Sequence, residues 1–187
     1  AQMPAWIAGR PLWELVGIYV DQAGYYPYGT LEYPNIYAIM DEQIYSSHYM
    51  NEVSGAGMWF AIILLGFIAY YIYGKNIDIS IDFCVTLALF TVAVSVYTLP
   101  HMHDRYGYLI DLLAVIYGVL KPKRLPVTIG FMLISIMTFM PYLIGVHVLS
   151  IQTVAILLLG LIVYVGCDLY RLSNIAPTEP VSSQEAI

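Results

Sequence analysis

The densest run of side chains able to do chemistry is His101-Met102-His103-Asp104-Arg105-Tyr106, set where one apolar stretch ends and another begins. A guanidinium pairs bidentately with phosphate oxygens, so Arg105 suits an anionic lipid headgroup at a membrane surface. His101 or His103 would support the same phosphate or donate a hydrogen bond to a leaving group. A helix beginning near His101 would align His101, Asp104 or Arg105, Tyr108 and Asp111 along one stripe. Asp111 would then lie about one and a half turns below the surface, where an ionisable group is costly and faces a cavity or a partner. The expected site is therefore a polar groove of His101, His103, Asp104, Arg105, Tyr106 and Asp111 that contacts phosphate or substrate. Two alternatives stand beside it. His101, His103 and Asp104 could ligate a divalent metal, although a His-x-His pair without a third and fourth ligand is a weak pattern, so no resident cofactor is assigned. Asp104 could instead cap a helix start while Arg105 snorkels to the interface.

The elements that must position these groups are apolar. Of the 187 residues, 60% are hydrophobic and 11% charged, against roughly 45–50% and 25% in soluble domains. The charges avoid five stretches, each about as long as the roughly 20 residues a membrane-crossing helix needs. These are Ser54 to Tyr73, about Ile79 to Leu99, a short one from about Tyr106 to Leu120, about Pro126 to Ile144, and about Val148 to Tyr170 after a tight Gly145-Val146-His147 turn. The expected class is an all-α integral membrane protein: an extracytoplasmic aromatic and acidic segment over residues 1–55, five spans over 56–171, and a disordered cytoplasmic tail over 172–187.

Net charge is -6, from 13 acidic and 7 basic residues, which excludes a nucleic-acid partner because phosphate-backbone binding needs clustered Lys and Arg. Five alternating spans put Lys75, Lys121, Lys123, Arg124 and Arg171 on one face. By the positive-inside bias that face is cytoplasmic, with the N-terminal segment outside and the C-terminus inside. Arg105 is an exception to that bias. Asp168 and Arg171 are spaced to form a surface pair, Asp78 and Asp82 suit a helix N-terminus, and His147 falls in an interfacial turn. Cys84 and Cys167 lie within apolar spans, where packing is the default role. No Gly-rich phosphate loop, Ser-His-Asp arrangement or zinc-type cysteine pattern occurs.

Residues 1–55 hold Trp6, Trp13, Tyr19, Tyr25, Tyr26, Tyr28, Tyr33, Tyr37, Tyr45 and Tyr49 among acidic residues. Pro11 is placed to open a short helix over the LWELVGIYV run. Aromatics with a polar edge favour the membrane interface, so helices lying on the outer surface are expected. Such a row either anchors the spans or forms a sugar-binding face.

The string Leu99-Pro100-His101-Met102-His103-Asp104-Arg105-Tyr106 resembles a P-x-M-H-[ED]-R-Y signature of polytopic GT-C-type glycosyltransferases, notably bacterial relatives of the GPI mannosyltransferases. Met3 to Leu12, Asp21 to Tyr28 and Tyr33-Pro34-Asn35-Ile36-Tyr37 are similar to segments preceding the later spans of those proteins, so the resemblance covers most of residues 1–120. It implies a multi-pass protein of the bacterial plasma membrane that transfers a sugar, mannose for example, from a polyprenyl-phosphate-linked donor to a glycan or lipid acceptor at the outer face. It also implies that Arg105, with His101 or His103, holds the donor phosphate. The family's catalytic carboxylate lies in its first outer loop, which is expected upstream of Ala1, so no catalytic base is assigned and the chain is read as a C-terminal half. The competing reading is a lipid-carrier transporter or a non-catalytic membrane subunit that recognises a lipid phosphate. A transporter would show matching interrupted helices in two halves, and no such pair is visible.

Overall fold

The computed structural model describes residues 3–11, 13, 14, 17, 29–40, 50–75, 77 and 79–174. Its helices are α1 (Met3–Ile7), α2 (Met50–Tyr73), α3 (Ile81–Thr98), α4 (Tyr108–Leu120), α5 (Leu125–Ile144) and α6 (Ile151–Ser173). Among the described residues there are also two short strands, β1 (Thr30–Leu31) and β2 (Met102–His103), and 3-10 turns over Ile36–Ile39, Asp104–Gly107 and Pro122–Arg124.

Helix ends follow local chemistry. The Ser80 hydroxyl accepts from the Phe83 amide and the Ser150 hydroxyl from the Thr153 amide, which caps α3 and α6. Pro126 sits in the first turn of α5, where its missing N–H costs nothing. At the other end of α5, Gly145 takes a left-handed φ of 67°, the conformation that closes a helix with least strain in glycine.

Four helices among the described residues, not five, are long and apolar enough to cross a membrane: Glu52–Tyr73, Ile81–Thr98, Pro122–Ile144 and Ile151–Ser173. The exception is α4, whose 13 residues span about 20 Å against the roughly 30 Å of a hydrocarbon core. The turn over 101–107 takes residues that would have lengthened it, and Lys121-Pro122 stops it. α4 still runs back along α3, because Lys121 at its end pairs with Asp82 at the start of α3. Consecutive helices from α2 to α6 thus alternate in direction, with α4 wedged between α3 and α5, so that α3 and α5 run the same way. The result is an all-α, membrane-embedded bundle.

Leu89, Ala93, Ile110, Ala114, Tyr117, Phe131, Leu158 and Val165 fill the core between α3, α4, α5 and α6. At Gly118 an added Cβ would come 2.4 Å from the Thr128 Oγ1, so the glycine admits close approach of α4 and α5. The Thr128 hydroxyl donates to the Ala114 carbonyl at 2.7 Å across that contact. Small residues and interhelical hydrogen bonds are what join helices where lipid replaces water.

Several expectations change. Cys84 and Cys167 are exposed on the bundle surface and do not pack inside it. α6 continues through Leu172 and Ser173, so the ordered chain passes the expected tail boundary. The expected disorder of 175–187, the carboxylate of Asp78, and the tyrosines at 19, 25, 26, 28, 45 and 49 lie outside the described residues, as does most of the expected helix after Pro11.

Candidate functional site

The segment over 29–40 does not lie on the bundle surface as an aromatic layer; it plugs one end of the bundle. Asn35 is fully buried. Its Oδ1 accepts from the Tyr37 and Ala38 amides at 3.1 and 3.2 Å, which starts the 3-10 turn. Its Nδ2 donates to the Gly29 carbonyl at 3.3 Å and to the Leu99 carbonyl at 3.4 Å. The Tyr37 hydroxyl donates to the Thr98 carbonyl at 3.0 Å, and Tyr37 lies against Gly57, where an added Cβ would sit 1.7 Å from the phenol oxygen. These bonds satisfy carbonyls left open at the end of α3.

The same docking remakes the 101–107 run. The His101 amide donates to the Gly29 carbonyl at 2.9 Å. Thr30 and Leu31 then pair in parallel with Met102 and His103. His101 adopts a φ of 58°, a left-handed conformation uncommon outside glycine. The helix expected from His101 therefore begins only at Tyr108, and the stripe through His101, Asp104 or Arg105, Tyr108 and Asp111 does not form.

Instead the expected site residues divide among three directions. His101 Nε2 meets the Ser54 hydroxyl of α2 at 2.9 Å. The His103 ring packs edge-on against Tyr106 with centroids 5.9 Å apart. Burial and then the Arg105 charge hold the His103 imidazole below its ordinary pKa, against an opposing pull from Asp104. Arg105 and Tyr106 are exposed and line a shallow apolar groove with Val92, Val96, Met102 and Leu109, the guanidinium lying 5.7 Å from the Tyr106 ring centroid. Asp104 and Asp111 are not part of that groove. They line a separate small pocket with Tyr33, Ser135 and Thr138, in which the Ser135 hydroxyl donates to Asp111 at 2.6 Å.

Tyr33 closes that pocket from the plug and packs on Gly107, where a Cβ would come 2.9 Å from its ring. Burial first, and then the Asp111 charge, raise the Tyr33 phenol above its ordinary pKa; burial alone raises Tyr37. Both rings are buried, so neither belongs to an open sugar-stacking face. Trp6 and Trp13 stay exposed. Among the described residues no group of three His, Cys, Asp or Glu side chains gathers in a way that would hold a metal ion. His101 and His103 in particular point to different neighbours.

Comparison with protein-family models, curated proteins and solved structures gives no match for this chain.

At the opposite end of the bundle lies a polar cluster that sequence spacing does not announce. Asp168 is buried and pairs with Arg124, not with Arg171. It also accepts from the Tyr117 hydroxyl at 3.0 Å and lies 3.9 Å from the Lys121 ammonium. Lys121 in turn pairs with Asp82. Two carboxylates and two cations thus tie α3, α4, the entry to α5 and α6 together. The available signal was that all four charges fall at helix ends on one predicted face. The i,i+3 spacing of Asp168 and Arg171 pointed elsewhere.

Proposed function

We propose that the protein is part of a membrane glycosyltransferase that moves a hexose, mannose for example, from a polyprenyl-phosphate-linked donor to a glycan or lipid acceptor at the outer membrane face. The observation that carries this reading is an assembly. Two strings that separately resemble GT-C enzymes, Tyr33 to Tyr37 and Leu99 to Tyr106, dock on each other through Asn35, Tyr37 and the β1–β2 pairing. Their joint product is a shelf that presents Arg105 on the wall of an apolar groove. In this reading the donor phosphate pairs with the Arg105 guanidinium and the isoprenoid lies along Val92, Val96 and Leu109. Arg105 would stabilise the negative charge that grows on the departing phosphate. The basic end of the bundle, with Lys121 and Arg124, would face the cytoplasm and the shelf the outside.

Asp104 and Asp111 serve this reading as acceptors for hydroxyls in the pocket behind the shelf. Neither is assigned as the base that activates the acceptor. The test is transfer from a polyprenyl-phosphate sugar by the complete protein in proteoliposomes. Arg105→Ala should lower turnover at least about a hundredfold, the range for removing one charge-stabilising donor, while Arg105→Lys keeps more of it. Unchanged transfer by Arg105→Ala would overturn the phosphate contact. Tight binding of the lipid phosphate without transfer by the complete protein would favour a non-catalytic subunit or carrier transporter.

A further inference from the structure

A second apolar groove lies on the other side of the bundle, between α2 and the α3–α6 pair. Its volume is about 640 Å³, within the roughly 300–1,000 Å³ of small-molecule sites. Phe60 and Leu64 of α2 form one wall, and Val94 of α3 with Leu159 and Val163 of α6 form the other. Below it Phe90 packs on Gly166, where a Cβ would come 2.8 Å from the ring.

The groove lies beside the stripe of Ala61, Leu64, Leu65 and Ile68 through which α2 packs on the bundle, and α2 is also tied at both ends. At one end Ser54 meets His101 and Gly57 admits Tyr37. At the other, Lys75 donates to the Asn174 side chain at 2.6 Å and Tyr71 meets the Ser173 hydroxyl at 3.3 Å. Only 6% of the α2 span is buried, against 44% of α3 and 39% of α6.

The basic end of this groove carries two cations, Lys75 and Arg171. Arg171 lines the groove, and the Lys75 ammonium lies 4.4 and 5.5 Å from the Tyr71 and Tyr170 ring centroids. The described carboxylates at that end, Asp82 and Asp168, are already paired with Lys121 and Arg124. Among the described residues neither Lys75 nor Arg171 pairs with a carboxylate. Arg171 on the wall of a chain-sized apolar slot, with Lys75 beside the Tyr170 ring that also lines it, fits a lipid with an anionic head.

We propose that this groove binds an anionic glycerophospholipid from the leaflet at the basic end, its phosphate at Lys75 and Arg171 and one acyl chain between Leu64 and Val163. The site is separate from Arg105 and does not rest on the transferase reading.

The experiment uses the full chain in phosphatidylcholine nanodiscs doped with phosphatidylglycerol or phosphatidylcholine carrying a photoreactive acyl chain, with labelled residues mapped by mass spectrometry. Phosphatidylglycerol should label Leu64 and Val163 in preference to phosphatidylcholine. Arg171→Ala should cut that preference about fivefold, and Lys75→Ala/Arg171→Ala about fivefold again, the contribution of one basic residue near an anionic surface. Arg171→Ala alone keeps the Lys75–Asn174 tie, so a loss there does not reflect release of α2. Val163→Trp should fill the slot and remove labelling at Leu64 while helicity and elution stay native. Equal labelling by both headgroups overturns the proposal, as does labelling of Leu64 that survives Val163→Trp. Displacement of the probe by polyprenyl phosphate, or crosslinking to a second copy across the slot, overturns it in favour of another occupant. None of these readouts depends on sugar transfer, so failure here and failure of the transferase reading are distinct.

Discussion

The Asn35 side-chain amide donates to the Leu99 carbonyl across 64 residues of sequence, at 3.4 Å. That bond fixes where α3 ends, and with it the start of the shelf that carries His103, Arg105 and Tyr106. Asn35 uses both ends of its carboxamide inside a fully buried position, so each of its partners would otherwise be an open backbone group.

Asn35→Ala should therefore destabilise the protein by about 1–3 kcal/mol, the cost of leaving buried polar groups unpaired. Asn35→Asp keeps the acceptor that starts the 3-10 turn but loses the donor to Leu99 and buries a charge, so it should be no better tolerated. Unfolding in detergent by increasing denaturant measures both. A change within 0.5 kcal/mol of zero, the usual range about neutral surface sites, would show that the plug does not hold the shelf.

The buried carboxylate at the other end gives a contrast of neighbours. Asp168→Ala leaves Arg124 and the Tyr117 hydroxyl facing an apolar wall and should cost about 3 kcal/mol. Arg171→Ala, one turn away on the same helix, should stay within about 0.5 kcal/mol. The same denaturant series decides it. Equal losses for the two variants would restore the local Asp168–Arg171 pair.

What the sequence made legible was local. The Gly145 turn marks the end of α5 and charge-free runs mark the long helices, because both signals sit within a few residues of the structure they specify, whereas the caps at Ser80 and Ser150 emerge only from the structure. The misreadings were non-local. His101 seemed to open a helix, but Gly29, far upstream, draws its amide into a strand pairing. Asp168 seemed to face Arg171, but Arg124 reaches it from another helix. α4 fell short of a full span because the 101–107 turn took its first residues. Which way Asp104 and Arg105 face depends on a 3-10 turn over Asp104–Gly107 that spacing rules for an α-helix misplace.

His103 carries a pH signature. Its folded pKa lies below the ordinary 6.5, so the folded protein takes up the proton less readily than the unfolded chain. Stability is then indifferent to this group above about pH 6.5 and falls as pH drops through 6.5 toward the depressed folded value. In a titration followed by the His103 ring proton resonance, the midpoint should lie below 6.5, and Arg105→Gln should raise it partway, since burial persists when the neighbouring charge is gone. A midpoint above 6.5 in the unaltered protein would mean that Asp104 outweighs burial and Arg105 together at this ring.

The contact between Gly57 and Tyr37 can be separated into its parts by a double-mutant cycle. Gly57→Ala places a methyl 1.7 Å from the Tyr37 phenol oxygen and 2.9 Å from the ring carbon that bears it, so the ring must move and the bond to the Thr98 carbonyl must lengthen or break. The expected cost is about 1–3 kcal/mol, as for other overpacked contacts. Tyr37→Phe alone removes the hydroxyl and leaves the Thr98 carbonyl unpaired, at a cost of about 1 kcal/mol. In the double variant the oxygen that would clash is absent, and the remaining ring carbon needs only a small shift. Gly57→Ala/Tyr37→Phe should therefore be less destabilised than the sum of the two single changes, with a coupling of about 0.5–3 kcal/mol. Additive losses would mean that α2 moves away from the plug as a body instead of pressing on Tyr37, and the Ser54–His101 hydrogen bond would then be lost as well.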